Sequence, residues 1–252
     1  MIRWLKTISS LLITLALLLG CDVLEPPYII EHNEADTVRF PIPEFPERTE
    51  FVKKVFLEHF TGHKCGNCPR ANEEAIRLEQ LYHDQIIPVA MHVTDVFGGA
   101  DESGSFTNDY RTPTGNDLDV YFGIEAAGIP RGLVNRVEYN GQTILTYADW
   151  EGAIAAQVSS GPVIDLQIIT QYDADSNDFA AHIQAYLLED INRTLHLSAW
   201  IVEDSIVSAQ KDYNHDPYEI EEYTHRHMLR ASLNGTWGDM LFENSAAKGQ
   251  KI

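Results

Sequence analysis

Two thiols three residues apart, in Cys65-Gly66-Asn67-Cys68-Pro69, are the side chains of this sequence whose spacing most directly implies chemistry. A helix-like run, residues 70–83, follows them. The pair therefore stands at a helix start, where unpaired N–H groups and the positive dipole end favour a thiolate over a thiol. His63 and Lys64 lie immediately upstream and can add positive charge on the same side. Pro69 suits a first helical turn, because its missing N–H costs nothing there. Such a pair can close a disulfide across one turn and exchange it. In that chemistry Cys65, nearer the helix start, attacks a substrate disulfide and Cys68 resolves the mixed disulfide. Glu58, near the end of the preceding apolar run, is the candidate proton acceptor for Cys68, provided it points under the helix.

Two other fates compete. Zinc needs four ligands and a lone Cys-x-x-Cys supplies two. His59 and His63 are packed too close to the thiols to close an ordinary zinc loop, so no metal is expected. An inert structural disulfide is the stronger rival, since an exported protein keeps such pairs oxidised. Exchange and stapling both stay open on the residues alone.

The chain's start decides the compartment. Residues 1–6 are basic, and residues 8–20 form an apolar run of 13, too short to span a membrane and right for an export signal. The run ends Leu18-Leu19-Gly20-Cys21, which resembles a bacterial lipoprotein signal and makes Cys21 the lipidated residue. Of three cysteines, Cys21 then goes to lipid and Cys65 and Cys68 remain as a single pair. Residues 1–20 hold two of the 18 basic side chains and none of the 38 acidic ones, so the remainder carries a net charge of −22. That field argues against a nucleic-acid partner. Residues 21–50 read as an extended tether, broken by Pro26, Pro27, Pro41, Pro43 and Pro46 and kept solvated by acidic residues.

Residues 51–160 must position the pair. Val55, Phe56 and Leu57 belong to a strand, and the helix after Cys68 sets Ala71, Ala75, Leu78 and Tyr82 along one face. Ile86 to Val93 is a second apolar run of β character, so the helix is the crossover of a parallel pair. Asn140-Gly141 signals a hairpin between Val137-Glu138-Tyr139 and Thr143-Ile144-Leu145, and Trp150, Ile154 and Val158 mark a closing helix. This is the layout of a thioredoxin-like α/β domain. Such domains set a cis-proline opposite the redox pair, and Pro130 in Gly128-Ile129-Pro130 stands at the right place for it. Residues 94–127 form an insertion, helix-like near 116–122, whose Tyr110, Tyr121 and Phe122 are candidates for a binding rim, core packing being the commoner fate of such aromatics.

From Gly161-Pro162 onward the pattern changes to alternation. Ile164, Leu166 and Ile168 make one run, Phe179 to Leu187 a second and Leu195 to Ile201 a third, linked by short acidic turns. The expectation for residues 161–252 is an all-β domain, partial and sandwich-like, with a C-terminus that stops before the sandwich closes. A fourth run, Tyr223 to Ala231, sets His225 and His227 on one strand face. A metal held there with His215 or Asp216 is less expected than ordinary hydrogen bonding.

Phe56-Leu-Glu-His-Phe-Thr-Gly-His-Lys-Cys-Gly-Asn-Cys-Pro69, the Gly-Ile-Pro turn and Tyr223-Thr-His-Arg-His-Met-Leu-Arg-Ala231 together resemble the outer membrane protein 28 family of Bacteroidetes lipoproteins. The resemblance covers about residues 50–240. It implies a lipid-anchored protein at the outer membrane, on its periplasmic or cell-surface face, with a thioredoxin-like domain and a β-domain. It implies no cofactor, and its partners beyond the membrane are unspecified proteins or peptides. Two functions fit: a tethered thiol–disulfide oxidoreductase, or a surface binding protein in which the pair is a structural disulfide.

Overall fold

β1 (Val55–Thr61) is rich in β-branched and aromatic residues and stops before Gly62. Strand alternation sends Val55 and Leu57 to one side, and Phe56 and Phe60 to the other. α1 (Cys68–Tyr82) follows and buries Cys68, Ala71, Ala75 and Leu78, the face expected from their spacing. β2 (Ile86–His92) then returns parallel to β1, in register from Val55 opposite Ile86 to Thr61 opposite His92. The computed structural model describes residues 36–252. The expected export signal, Cys21 and the first part of the expected tether lie outside the described residues.

The insertion is ordered by its own helices. A π-helical turn, Thr94–Gly98, leads toward α2 (Pro113–Phe122) and α3 (Ile124–Ala127). Thr112 caps α2 by accepting a hydrogen bond from the Gly115 N–H at 3.0 Å. β3 (Arg131–Val134) runs antiparallel to β1, and α4 (Tyr147–Val158) buries Trp150, Ala153 and Ile154. The Asn140-Gly141 turn forms with positive φ at both residues and is closed by two backbone bonds between Tyr139 and Gln142. Its flanks do not extend into a hairpin ladder. Leu145 bonds to Gly132 instead, beside β3.

The C-terminal block supplies β4 (Ile164–Asp173), β5 (Asp178–Leu187), β6 (Leu195–Leu197), β7 (Trp200–Glu203), β8 (Ile206–Lys211), β9 (Glu219–His225), β10 (Met228–Ser232) and β11 (Asp239–Phe242). Read from sequence, these strands stand apart from the first block. In the structure β10 lies parallel to β2, Met228 opposite Ala90, and β7 pairs antiparallel to β10. The main sheet therefore runs β3-β1-β2-β10-β7 and draws on both blocks. An open β2 edge would leave backbone donors and acceptors unpaired. β10 satisfies them, and the Ala90 N–H donates to the His227 carbonyl at 2.7 Å. The other strands pair two by two: β4 with β5, β8 with β9, and β6 with β11.

Two cores flank the sheet. On one side α1 and α4 cover Val55, Leu57, Ile86 and Val134; on the other Phe60, Val89, Met91, Leu118, Ile124, Leu133 and Leu229 close together. The latter half of the tether is held as well. Arg39 bridges Asp173 and Asp178 at 2.7 and 2.6 Å, and Arg48 reaches Asp165 at 3.1 Å. All described residues belong to one compact unit.

Candidate functional site

Cys65 and Cys68 form a disulfide at the N-terminal end of α1, with a Cα–Cα distance of 5.4 Å. Cys68 is the first helical residue and Pro69 follows within the first turn. The approach from β1 is a tight turn in which the Cys65 N–H donates to the Gly62 carbonyl at 3.0 Å. Gly62 is required there, since a Cβ on it would meet the Phe97 carbonyl oxygen at 2.5 Å. The Ile129–Pro130 peptide is cis, and Pro130 is buried just before β3. Because Arg131 pairs with Phe60, Pro130 stands next to the end of β1 from which the Cys65 turn departs.

The pair is covered. Cys65 is 3% exposed and Cys68 0%. The cover is the end of β8 with the loop after it: the Lys211 N–H donates to the His63 carbonyl at 2.8 Å, and the Tyr213 N–H to the Gly66 carbonyl at 2.9 Å. Gln210 Nε2 donates to the carbonyls of Cys65 and Gly62, at 3.1 and 3.3 Å. The Tyr213 ring lies so close on Gly66 that a Cβ there would sit 2.6 Å from it. None of these covering residues stood out in the sequence. They lie far along the chain, and two of their bonds, from the Lys211 and Tyr213 N–H groups, are main-chain bonds that any residue type can make.

The electrostatic setting differs from the expected one. His63 is buried, its Nε2 is 3.1 Å from the Gly99 carbonyl, and burial lowers its pKa despite that contact. It is a neutral ring beside the pair. Lys64 is spent on Asp101 at 2.7 Å. Glu58 does not lie under α1. It belongs to the β1 face shared with Phe56 and Phe60, opposite α1, where Arg136 grips its carboxylate through Nε and Nη2 at 2.8 and 2.6 Å. The residue on the α1 side is its neighbour His59. It is buried edge-on to Trp150, with Nε2 unpartnered and its pKa lowered to about 3 by burial. His59, Asn72 of α1 and Tyr223 of β9 line a cavity of about 20 Å³, room for about one water, and Asn72 donates to the Tyr223 hydroxyl at 3.0 Å. Strand alternation was the signal that separates His59 from Glu58.

A buried cluster of rings adjoins the turn. His63, His92 and Tyr110 meet edge to face at centroid distances of 5.1 to 6.1 Å, and His225 stands 5.5 Å from His92. Burial, then the neighbouring rings, holds His92 well below its usual range, and His225 falls to about 4. Of the rim candidates, Tyr110 takes the commoner fate of such aromatics and is core, whereas Tyr121 is exposed and packs on Trp237. His225 and His227 do not share partners: His227 has φ 55° and turns to Glu79 at 3.1 Å, while His215 bonds locally to the Pro217 carbonyl. Among the described residues, no group of three His, Cys, Asp or Glu side chains is placed to hold a metal ion.

A parallel β1–α1–β2 unit, a Cys-x-x-Cys disulfide at the helix start and a neighbouring cis-proline define a thioredoxin-like α/β protein. The particular family follows from the second half of the chain: residues 117–251 match the family described as Outer membrane protein Omp28, and the chain belongs to it. Among solved structures it is similar to HBP35 of Porphyromonas gingivalis, with 21% identity and a TM-score of 0.56. That match covers 81% of this chain and 65% of that one. A structural-genomics protein from Agrobacterium tumefaciens aligns at 14% identity and a TM-score of 0.43, over 81% of this chain and 79% of that one. No curated protein matches the sequence. Among the described residues no helix is long and apolar enough to cross a membrane.

Proposed function

We propose that this Omp28-family protein is a lipoprotein, anchored through Cys21, that exchanges disulfides with protein or peptide substrates through Cys65 and Cys68. The observation that carries the proposal is the closed Cys65–Cys68 pair at the start of α1, where helix N–H groups favour a departing or attacking thiolate. In the reducing direction the Cys65 thiolate attacks one sulfur of a substrate disulfide. A mixed disulfide forms, the substrate S–S bond breaks, and the leaving thiolate takes a proton from solvent. The Cys68 thiolate then attacks Cys65 Sγ, releases the second substrate thiolate and closes the protein disulfide, leaving two electrons on the substrate. Run backwards, the same steps oxidise a dithiol. Glu58, committed to Arg136 on the other face, is not the proton acceptor in this scheme; His59 and its small cavity lie on the side of α1. Pro130 borders the edge where a substrate backbone would lie.

The cover sets a condition. With Cys65 3% exposed beneath Tyr213, exchange needs the loop after β8 to lift. The same burial favours a second reading, a surface binding protein in which the pair is a permanent staple. One set of variants separates the two. Under exchange, Cys68→Ser traps mixed disulfides with cystine-containing model peptides, Cys65→Ser does not, and Tyr213→Ala speeds the trapping. The wild-type pair then titrates between about −120 and −270 mV. Under stapling, neither variant traps peptides and the potential lies below about −300 mV.

The anchor rests on the Leu18-Leu19-Gly20-Cys21 run. Cys21→Ser is expected to abolish labelling by radioactive fatty acid and to shift the protein from the membrane pellet to the soluble fraction. Retention in the pellet without label would remove the lipid from the proposal. Several acyl chains on one residue suffice for firm attachment, at about 0.8 kcal/mol per buried CH₂.

A further inference from the structure

On the sheet face away from α1 a cleft of about 310 Å³ opens between β1, β6, β7 and the stretch after β10. Phe56, Arg136, His196, Ser198, Trp200, Thr236 and Trp237 line it, and no carboxylate does, in a chain of net charge −20. Its floor is aromatic: Phe56 and Trp200 pack with ring centroids 5.4 Å apart. Its rim is aromatic too. Trp237 is 48% exposed and meets Tyr121, itself 68% exposed, at 4.9 Å. Exposed indole and phenol rings side by side at a concave surface cost free energy in water unless something covers them.

The polar groups define what covers them. Trp200 lines the cleft with its ring, while its Nε1 is buried behind the surface with no hydrogen-bond partner. Arg136 spends Nε and Nη2 on Glu58, which offsets its charge, and stacks over Phe122 at 5.6 Å; Nη1 makes no hydrogen bond among the described residues. Ser198 donates to the Thr236 carbonyl at 3.3 Å and so keeps its oxygen as an acceptor, and Thr236 is fixed by Asp117 at 2.6 Å. The cleft therefore presents flat apolar faces with a donor and an acceptor, and little uncompensated charge. A purely apolar ligand would leave the Arg136 donor unmet. A phosphate would meet a guanidinium already neutralised by a carboxylate. A sugar ring offers both a C–H face to lie on an indole and hydroxyls that donate and accept.

We propose that this cleft binds a saccharide, with one ring stacked on Trp237 and a hydroxyl oxygen accepting from Arg136 Nη1. The volume is at the small end of ligand pockets, enough for about one sugar ring. The site lies on the opposite face from the disulfide and makes no use of it.

The test is titration of the full chain, disulfide intact, with tetramers of glucose, mannose, galactose and N-acetylglucosamine, followed by tryptophan emission and calorimetry. At least one tetramer is expected to bind with a shift in emission. Trp237→Ala, which removes an exposed ring and leaves the core alone, is expected to weaken it by about tenfold or more, the weight of a well-packed aromatic contact. Arg136→Lys keeps a counter-ion for Glu58 and is expected to fold with wild-type circular dichroism yet bind more weakly. If no tetramer binds at concentrations of about 10 mM, or if Trp237→Ala binds as wild type does, the saccharide site is wrong. Binding of an aromatic acid such as indole-3-acetate in place of every sugar would overturn it equally.

Discussion

Histidines make the residue-scale argument, because five of them, His59, His63, His92, His225 and His227, have pKa values lowered chiefly by burial. From sequence, His63 was a charge for the thiolate; in the fold it is neutral, and whatever thiolate stabilisation exists must come from the helix start. The cluster has a consequence for stability. An unfolded histidine takes its proton near pH 6.5, whereas His225 waits until about 4 and His59 until about 3. Below pH 6.5 the unfolded chain therefore binds more protons than the native one. The histidine contribution is fully present above pH 6.5 and is lost progressively as pH falls toward those folded values. Each proton so excluded steepens the loss by at most about 1.4 kcal/mol per pH unit. The urea midpoint is expected to drop between pH 6.5 and 5, a window in which ordinary carboxylates are still ionised and self-repulsion changes little. A midpoint that stays level from pH 7 to 5 would contradict the neutral cluster.

At the scale of elements, what was legible in the sequence was local. α1 was readable because Ala71, Ala75, Leu78 and Tyr82 repeat at helical spacing after a Pro69 start, and α4 because Trp150, Ile154 and Val158 do the same. The turn at Asn140-Gly141 was readable from its type; its strands were not, because Leu145 found a better partner in Gly132. The fourth alternating run, Tyr223 to Ala231, looked continuous. It breaks at His227, whose left-handed backbone lets β9 stay with β8 while β10 crosses to β2. No local pattern encodes that crossing, since it is set by an edge more than a hundred residues upstream. The same limit hid the cover over Cys65. At the candidate site, sequence placed Cys65, Cys68 and Pro130 together, and it missed by one position the strand residue that faces α1, choosing Glu58 over His59.

For the whole molecule, the shared sheet has a thermodynamic consequence. β2 is bordered by β10, Leu229 of β10 sits in the same core as Phe60, Met91 and Leu133, and Lys211 and Tyr213 close the turn that carries Cys65. A chain cut after residue 160 loses all of these at once. It uncovers β2 around Ala90 and removes the packing of Trp200 on Phe56. Burying one large apolar side chain is worth about 1.5–3 kcal/mol, so losing Leu229, Trp200 and Met228 together takes away a large part of a domain stability of about 5–15 kcal/mol. Residues 51–160 alone are therefore expected to show no cooperative urea transition and to bind a hydrophobic dye. Residues 22–252 are expected to unfold in one step. Tryptophans report on both blocks, Trp150 on the first and Trp200 and Trp237 on the second. Emission measured on single-tryptophan variants should give coincident midpoints, which is the signature of one cooperative unit. Two separated midpoints, or a fragment 51–160 that unfolds as steeply as the whole chain, would show that the thioredoxin-like block is independent and that β10 merely docks on it.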